Sequence, residues 1–395
     1  MVGRVAGVLP RFRGALHDPR TATAVGRWLG AAVLVCFVTG LISHLLQEPP
    51  AWLAARLTSR PVWGYRLTQG LHVATGIAAV PLLLAKLWTV YPRLFEWPPV
   101  RGVRHALERL SIAVLVSTAL LQLFMGLLNT VQWYPWPFSF RQVHWALAWV
   151  LTGSLLLHLA VKLPLVAAHW RRRGVTEATS DAALEATPEA ASDGRAEAVA
   201  RDRRSLMLGV GAAVGAVTVV TVGQTLTPLR KLTLLAPRHQ DHGTQGLPVN
   251  RTAAAARVSA TAVREWRLTV AGPRAYELTL EELRALPQHP AELPIACVEG
   301  WSKSAHWSGV RVRDLLDRAG APSDASVRVV SLQRTGNYRV MEMGPGYARD
   351  PLTLLALRLN GEVLNLDHGY PARIIAPNRP GVLQTKWVHR MEVPP

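Results

Sequence analysis

Cysteine is nearly absent: Cys36 and Cys297 are the two in 395 residues, one inside an apolar run and one in a distant polar region. Two such residues build neither a disulfide framework nor a cysteine-rich zinc site, so each must be explained singly. Charge is scarce as well. Asp, Glu, Lys and Arg make up 18% of the chain against 49% hydrophobic residues, and the mean hydropathy is +0.15, which excludes an ordinary soluble enzyme of this length. Acidic residues are the scarcer sign, 26 against 44 Lys and Arg, for a net charge of +18. In a chain with lipid-embedded parts such an excess collects at the cytoplasmic ends of spans, so it does not call for a nucleic-acid partner. The length suits two or three domains.

Five stretches lack Asp, Glu, Lys and Arg altogether: Trp28 to Gln47, Leu67 to Ala85, Leu110 to Phe140, Gln142 to Val161 and Ser205 to Leu229. Each supplies the roughly 20 residues that a helix needs to cross a bilayer core. Runs such as AAVLVCFVTGLISHLL are apolar nearly all round, where a soluble buried helix keeps a polar face. We therefore expect four clustered transmembrane helices and a fifth set apart. Basic residues mark one side: Arg4, Arg11, Arg13, Arg20 and Arg27 before the first, Arg93, Arg101, Arg104 and Arg109 after the second, and Lys162 with Arg171, Arg172 and Arg173 after the fourth. The positive-inside rule makes that side the cytoplasm, so the fifth helix runs outward and exports everything after about residue 230.

Between the fourth and fifth helices Glu177, Asp181, Glu185, Glu189, Asp193 and Glu197 recur every four residues in an Ala-rich stretch, which reads as a solvated helix or, more plainly, a charged linker. RDRRSLML then leads into GVGAAVGAVTVVTVG. That is either the basic flank of a span or an internal twin-arginine-like export signal, which would carry the following domain across already folded.

The ionisable groups inside the spans are histidines, and such groups are functional candidates by default. His144 and His158 on the fourth helix are 14 residues apart, which is about 21 Å along the axis and about 40° short of four turns, so both leave one face. His72 enters the second helix at the depth of His144. LHVATGIAAVPLLLAKLW aligns with VHWALAWVLTGSLLLHLAVK, and FVTGLISH with LFMGLLNT, as in a duplicated helical hairpin. That aligns Lys86 with His158, Gly40 with Gly126 and His44 with Thr130. Bundle cores hold cofactors between facing side chains, and two imidazoles at one depth suit bis-His haem b ligation. The first pair is His72 with His144; His158 would need His105 or His17 as an inner partner; His44 is an outer alternative or belongs to a quinone pocket.

Residues 20 to 170 resemble the four-helix membrane cytochromes b of the formate dehydrogenase gamma-subunit type, in helix count and in the two His of the fourth helix. The resemblance implies haem ligands at His72, His144 and His158 and electron exchange with the quinone/quinol pool. The family's first-helix ligand lies near the cytoplasmic surface, where His44 does not.

From about Glu265 the chain alternates as strands do, in WRLTVAG, VRVVSLQ, YRVMEM, RIIAP and KWVHRMEV, with helices at TLEELRAL and RVRDLLDRAG between them. This predicts an α+β domain. Cys297 within it is a passive core thiol, a nucleophile or a soft metal ligand, and composition alone favours the first. Its context, CVEGW followed by HWSGV and a helix, resembles the molybdopterin-binding domain of the sulfite oxidase superfamily, within it the branch of periplasmic methionine sulfoxide reductase catalytic subunits. HGYPAR and GVLQTKW are similar to the same superfamily's pterin elements. The resemblance covers Arg264 to Val393. It implies a molybdenum-molybdopterin cofactor with Cys297 on the metal, His368 and Arg373 on the pyranopterin, and Lys386 with the backbone of Val382 to Thr385 on the phosphate. Arg and Lys suit that phosphate, and Gly381 would allow the close approach of the loop to it. Trp301, His306, Tyr338 and Arg339 are pocket candidates, Trp301 and Tyr338 as catalytic residues.

The expected organisation is an N-terminal arm (1–26), a four-helix transmembrane cytochrome b domain (27–170), a charged linker (171–204), a fifth transmembrane anchor helix (205–229), a second linker (230–263) and an exported oxidoreductase domain (264–395). The expected function is reduction of a small S-oxide or N-oxide with quinol electrons. The alternatives are oxidation of sulfite or a similar donor, and a non-catalytic ligand-binding sensor.

Overall fold

A computed structural model describes residues 17, 19–94, 96–98, 100–180, 190–225, 227–236, 238 and 242–393. Arg4, Arg11, Arg13, Asp181, Glu185 and Glu189, which entered the reading of the arm and the linker, lie outside the described residues. The first six helices are α1 (Pro19–Gln47), α2 (Ala51–Ala54), α3 (Gly64–Leu94), α4 (Val103–Thr130), α5 (Phe140–Ser180) and α6 (Ala190–Val222). Within α1, α3, α4, α5 and α6 lie five segments long and apolar enough to cross a membrane. Large apolar side chains along them, among them Leu84, Phe124, Leu156 and Leu208, are exposed. Lipid would cover such surface, since soluble chains seldom leave so much of it open. α5 and α6 continue as helix beyond their apolar stretches, into the segment expected as a linker.

The chain divides into two compact units, residues 1–34 with 75–218, and residues 35–74 with 219–395. The continuous domains expected from sequence do not describe this division. The second unit draws in the end of α1, the connection after it and the start of α3.

In the first unit α4 packs on α5. Gln122 Nε2 donates to the His144 carbonyl at 3.0 Å, and Gly126 lies against the His144 ring, where an added Cβ would sit 3.9 Å from Cε1. Lys86 donates to the Ala22 carbonyl at 2.7 Å. The proposed partners of His158 have backbone partners of their own. His105 Nδ1 accepts the Arg101 amide at 3.1 Å, and His17 Nδ1 lies 3.4 Å from the Thr89 carbonyl. In the second unit His72 packs on α1: its Nδ1 donates to the Cys36 carbonyl at 2.8 Å, and a Cβ at Gly40 would fall 2.7 Å from the ring. Gly40 with His72 and Gly126 with His144 therefore repeat one Gly–His contact in the two hairpins that the sequence aligns.

The second unit also holds two five-stranded sheets. The first runs β2 (Tyr276–Thr279), β1 (Arg267–Ala271), β10 (Val388–Glu392), β5 (Val327–Ser331), β6 (Val340–Met343), antiparallel except that β1 pairs parallel with β10. The alternation of WRLTVAG sends Leu268 and Val270 inward. They meet Val312, Leu315 and Leu316 of α9 (Val312–Arg318), spaced as one helical face. Burying each such side chain stabilises the fold by about 1.5–3 kcal/mol. α8 (Leu280–Ala285) starts at a capping box in which Thr279 and Glu282 satisfy each other's backbone amides. The second sheet runs β3 (His289–Ala296), β4 (Ser302–Arg311), β7 (Leu354–Leu359), β8 (Glu362–Val363), with β9 (Arg373–Ile375) also on β7. β3 carries Pro290 and Pro294 and lies at an edge, where prolines are tolerated. The short helices α7 (Ala253–Ala256) and α10 (Pro345–Ala348) complete the unit.

The segment expected as a linker, 230–263, is corrected by the structure from Leu247 onward. Leu247, Ala253, Ala256, Val258 and Val263 are buried, and four of them form a small core with Trp387. Apolar side chains spaced too irregularly for a helix or strand pattern can still fill a gap in a packed domain.

Candidate functional site

β3 and β4 form a hairpin closed by residues 297–301. The Cys297 amide donates to the Trp301 carbonyl at 2.9 Å and the Gly300 amide to the Cys297 carbonyl at 3.1 Å, which holds the cysteine at the tip of β3. Its thiol is buried, at 4% exposure. Asn250 Nδ2 donates to Sγ at 2.5 Å, while Asn250 Oδ1 accepts from Trp301 Nε1 at 2.9 Å. Burial, and then the nearby Glu299 carboxylate, push the thiol well above the usual cysteine range. A thiol so placed is a poor free nucleophile, and a cation on the sulfur would release its proton.

Three basic groups converge beside it. The 3₁₀ turn Leu366–His368 ends at Gly369, whose φ of +110 lies in the left-handed region. A Cβ there would press on Lys386 Cβ at 3.0 Å and Arg373 Cβ at 3.1 Å, so glycine lets the two basic arms pass. Arg373, 3% exposed on β9, donates to the carbonyls of His368 at 3.0 Å and Gln384 at 3.3 Å and lies 5.2 Å from the Trp307 ring centre. Burial draws its pKa down to about 9, so it stays charged at neutral pH. His368 Nε2 donates to the Thr244 carbonyl at 2.6 Å. Burial and the Arg373 charge lower its pKa to about 4, which keeps the ring neutral. Lys386 donates to the carbonyls of Arg251 at 3.0 Å and Asp367 at 2.7 Å. Burial first, then Arg373, lowers its pKa to about 7, while Cys297 acts in the opposite direction.

These groups are under-used by the protein itself. Among the described residues, the buried Arg373 Nε, Thr385 Oγ1, Gln384 Oε1 and Arg251 Nε have no hydrogen-bond partner. Buried polar atoms are nearly always satisfied, so a concentration of unsatisfied ones, most of them donors, beside a buried thiol fits an anionic ligand rich in acceptors.

Of the sequence-derived candidates, Cys297, Trp301, His368, Arg373, Thr385 and Lys386 come together, and Tyr338 lies in the turn before β6. His306 and Arg339 are exposed, His306 opposite Glu292 on β4, and neither joins the buried cluster. Gly381 makes a close approach, but to the Ala296 carbonyl, 2.8 Å from where its Cβ would be, which seats the GVLQTKW loop on the strand carrying Cys297. Sequence reasoning missed Asn250 and Arg251. The signal available was Thr252 before four alanines, a helix start that the structure caps through Thr252 Oγ1.

The Lys386 environment predicts a pH effect in protein made without cofactor. Between pH 7 and its ordinary 10.5 the unfolded chain holds this proton and the folded one does not. Stability should therefore rise with pH across that window and lose this contribution to the slope below it. Denaturation midpoints across the window check this, and Lys386→Met should flatten the slope.

Residues 255–395 match the sequence profile of the oxidoreductase molybdopterin binding domain. Mitochondrial sulfite oxidase of Drosophila melanogaster is 31% identical over 147 residues, which cover 31% of this chain and 26% of that protein. A protein of Azospira oryzae named as a protein-methionine-sulfoxide reductase subunit, YedZ1, is 33% identical over 115 residues, covering 29% of this chain and 43% of the relative. An oxidoreductase of Bacillus subtilis, YuiH, is 29% identical over 139 residues, covering 32% of this chain and 65% of the relative. The chain thus spans less than two thirds of each of these relatives. Over residues 255–395 the chain is similar to molybdopterin-binding oxidoreductase domains, those of sulfite oxidases among them.

Proposed function

We propose that this chain is a membrane-anchored oxidoreductase whose exported domain binds molybdenum-molybdopterin and which exchanges electrons with the quinone pool through haem b. The observation that carries the first part is the buried Cys297 thiol beside unsatisfied polar atoms of Arg373, Thr385 and Gln384. Cys297 would ligate the metal, Arg373 and His368 would hold the pterin, and Lys386 with the 382–385 loop would hold its phosphate. The bound cofactor supplies two-electron oxo transfer. The protein's part is to keep water from the sulfur, orient it through Asn250, and neutralise the cofactor's charge.

For the haem, the support is the His72 bond from Nδ1 to the Cys36 carbonyl, of the kind common behind metal-bound imidazoles. His144 is its proposed partner, and His158 belongs to any second site. The substrate that best suits this reading is a small S-oxide or N-oxide, reduced outside the cytoplasmic membrane. Donor oxidation of the sulfite kind is the second reading, favoured by the likeness to a sulfite oxidase.

Metal and haem analysis of the purified chain tests the proposal, and absence of molybdenum would sink it. Adding S-oxides, N-oxides and sulfite in turn to membranes separates the substrate readings: reoxidation of prereduced haem marks an acceptor, and reduction marks a donor. His72→Ala and His144→Ala should each lose the outer b-type absorbance, and Gly40→Val should weaken it by displacing the His72 ring. Unchanged spectra in both histidine variants would refute the ligand pair.

A further inference from the structure

The matched domain does not supply every buried polar group in this unit. Tyr65, in the first turn of α3, is 1% exposed, and among the described residues its hydroxyl has no hydrogen-bond partner. Cys297 and Tyr338 lie within electrostatic reach of that hydroxyl.

Its position is built rather than incidental. The Tyr65 amide is one of the helix-start donors that α3 itself leaves unpaired, and Asn378 Oδ1 accepts it at 2.7 Å. Asn378 Nδ2 donates to the Thr58 carbonyl at 3.1 Å. Ser59 and Arg60 both bond Asp350, at 2.5 Å and 3.2 Å. One turn further along α3, Gln69 Nε2 donates to the carbonyl of Val298, the residue after Cys297, at 2.8 Å. Val73 then packs on Gly300, where a Cβ would meet its methyls at 2.9 Å. The first turns of α3 are thus fastened both to the cysteine loop and to the segment following β9.

A buried phenol ordinarily finds a partner. One held this firmly, with neighbours on both sides satisfied, and lacking an acceptor, is matched to a molecule bound beside it.

We infer that Tyr65 is a catalytic residue of the Cys297 site, contributed from outside the molybdopterin-binding domain, and that its hydroxyl donates a hydrogen bond to the oxygen atom transferred there. The inference rests on the cofactor reading above. It makes the start of α3 part of the active site, and it sets Tyr65 on the helix that also carries His72.

The test is Tyr65→Phe in the full-length chain, which keeps the ring and its packing. Turnover should fall about 10²-fold, as when one donor to a developing charge is removed. Molybdenum content should equal that of wild type, and the Mo(V) electron paramagnetic resonance signal should change through the altered hydrogen bonding. In protein made without cofactor, the denaturation midpoint should stay level or rise, because the lost hydroxyl bonds none of the described residues. A fall of that midpoint would identify a structural hydroxyl and overturn the inference. So would equal molybdenum with unchanged signal and turnover, which leaves the cofactor reading standing. Wild-type protein free of molybdenum would overturn that reading, and the Tyr65 assignment with it.

Discussion

Cys297→Ser is expected to lower turnover at least about 10³-fold, about 4 kcal/mol of transition-state stabilisation, while the protein stays folded and keeps most of its pterin. The reason is the donor atom. A thiolate is a soft ligand and an alkoxide a hard one, and serine gives up its proton far less readily than cysteine. The site already holds the thiol above its ordinary range through burial and Glu299, so only a cation on the sulfur offsets the cost of the thiolate. Serine is close in shape and can still accept from Asn250, so packing around β3 survives. Turnover, molybdenum per chain and the denaturation midpoint, measured together, check this. Full activity in the variant is incompatible with Cys297 as the metal ligand.

Arg373→Met should weaken cofactor retention about 10- to 10²-fold, since a charge-assisted hydrogen bond to a buried anion contributes about 1.5–3 kcal/mol. The effect on the protein alone should be much smaller. Arg373 is buried and rests on two backbone carbonyls and the Trp307 ring. A buried charge so placed contributes little net stability until its counter-ion arrives. Molybdenum and pterin per chain after gel filtration should drop sharply, while the midpoint of cofactor-free protein moves by a few degrees at most. Undiminished cofactor content would remove Arg373 from the pterin site.

Much of the fold was legible where residue patterns are regular. Apolar runs free of charge mark the five long helices, and period-two alternation marks β1 and β5. β3 was not legible, because Pro290 and Pro294 argue against a strand unless it lies at a sheet edge. β7 reads LLALRL, a short apolar run that fits strand or helix equally until its partners are known. Cys297, His368, Arg373 and Lys386 stood out through local spacing shared with a family. Asn250 and Tyr65 had no such signal, because each serves the site through contacts with segments far away in sequence.

The sequence by itself determined that this chain combines lipid-compatible helices with an α+β domain, because charge-free apolar runs and strand alternation are local patterns. A metal-binding role for its scarce cysteine came only as what a family resemblance implies. Only the tertiary structure decided that a presumed linker is part of the domain, that polar atoms around the thiol lack partners, and that a tyrosine more than 200 positions before Cys297 lies beside its site. Those depend on which buried groups meet and which are left unsatisfied, and long-range packing alone sets that.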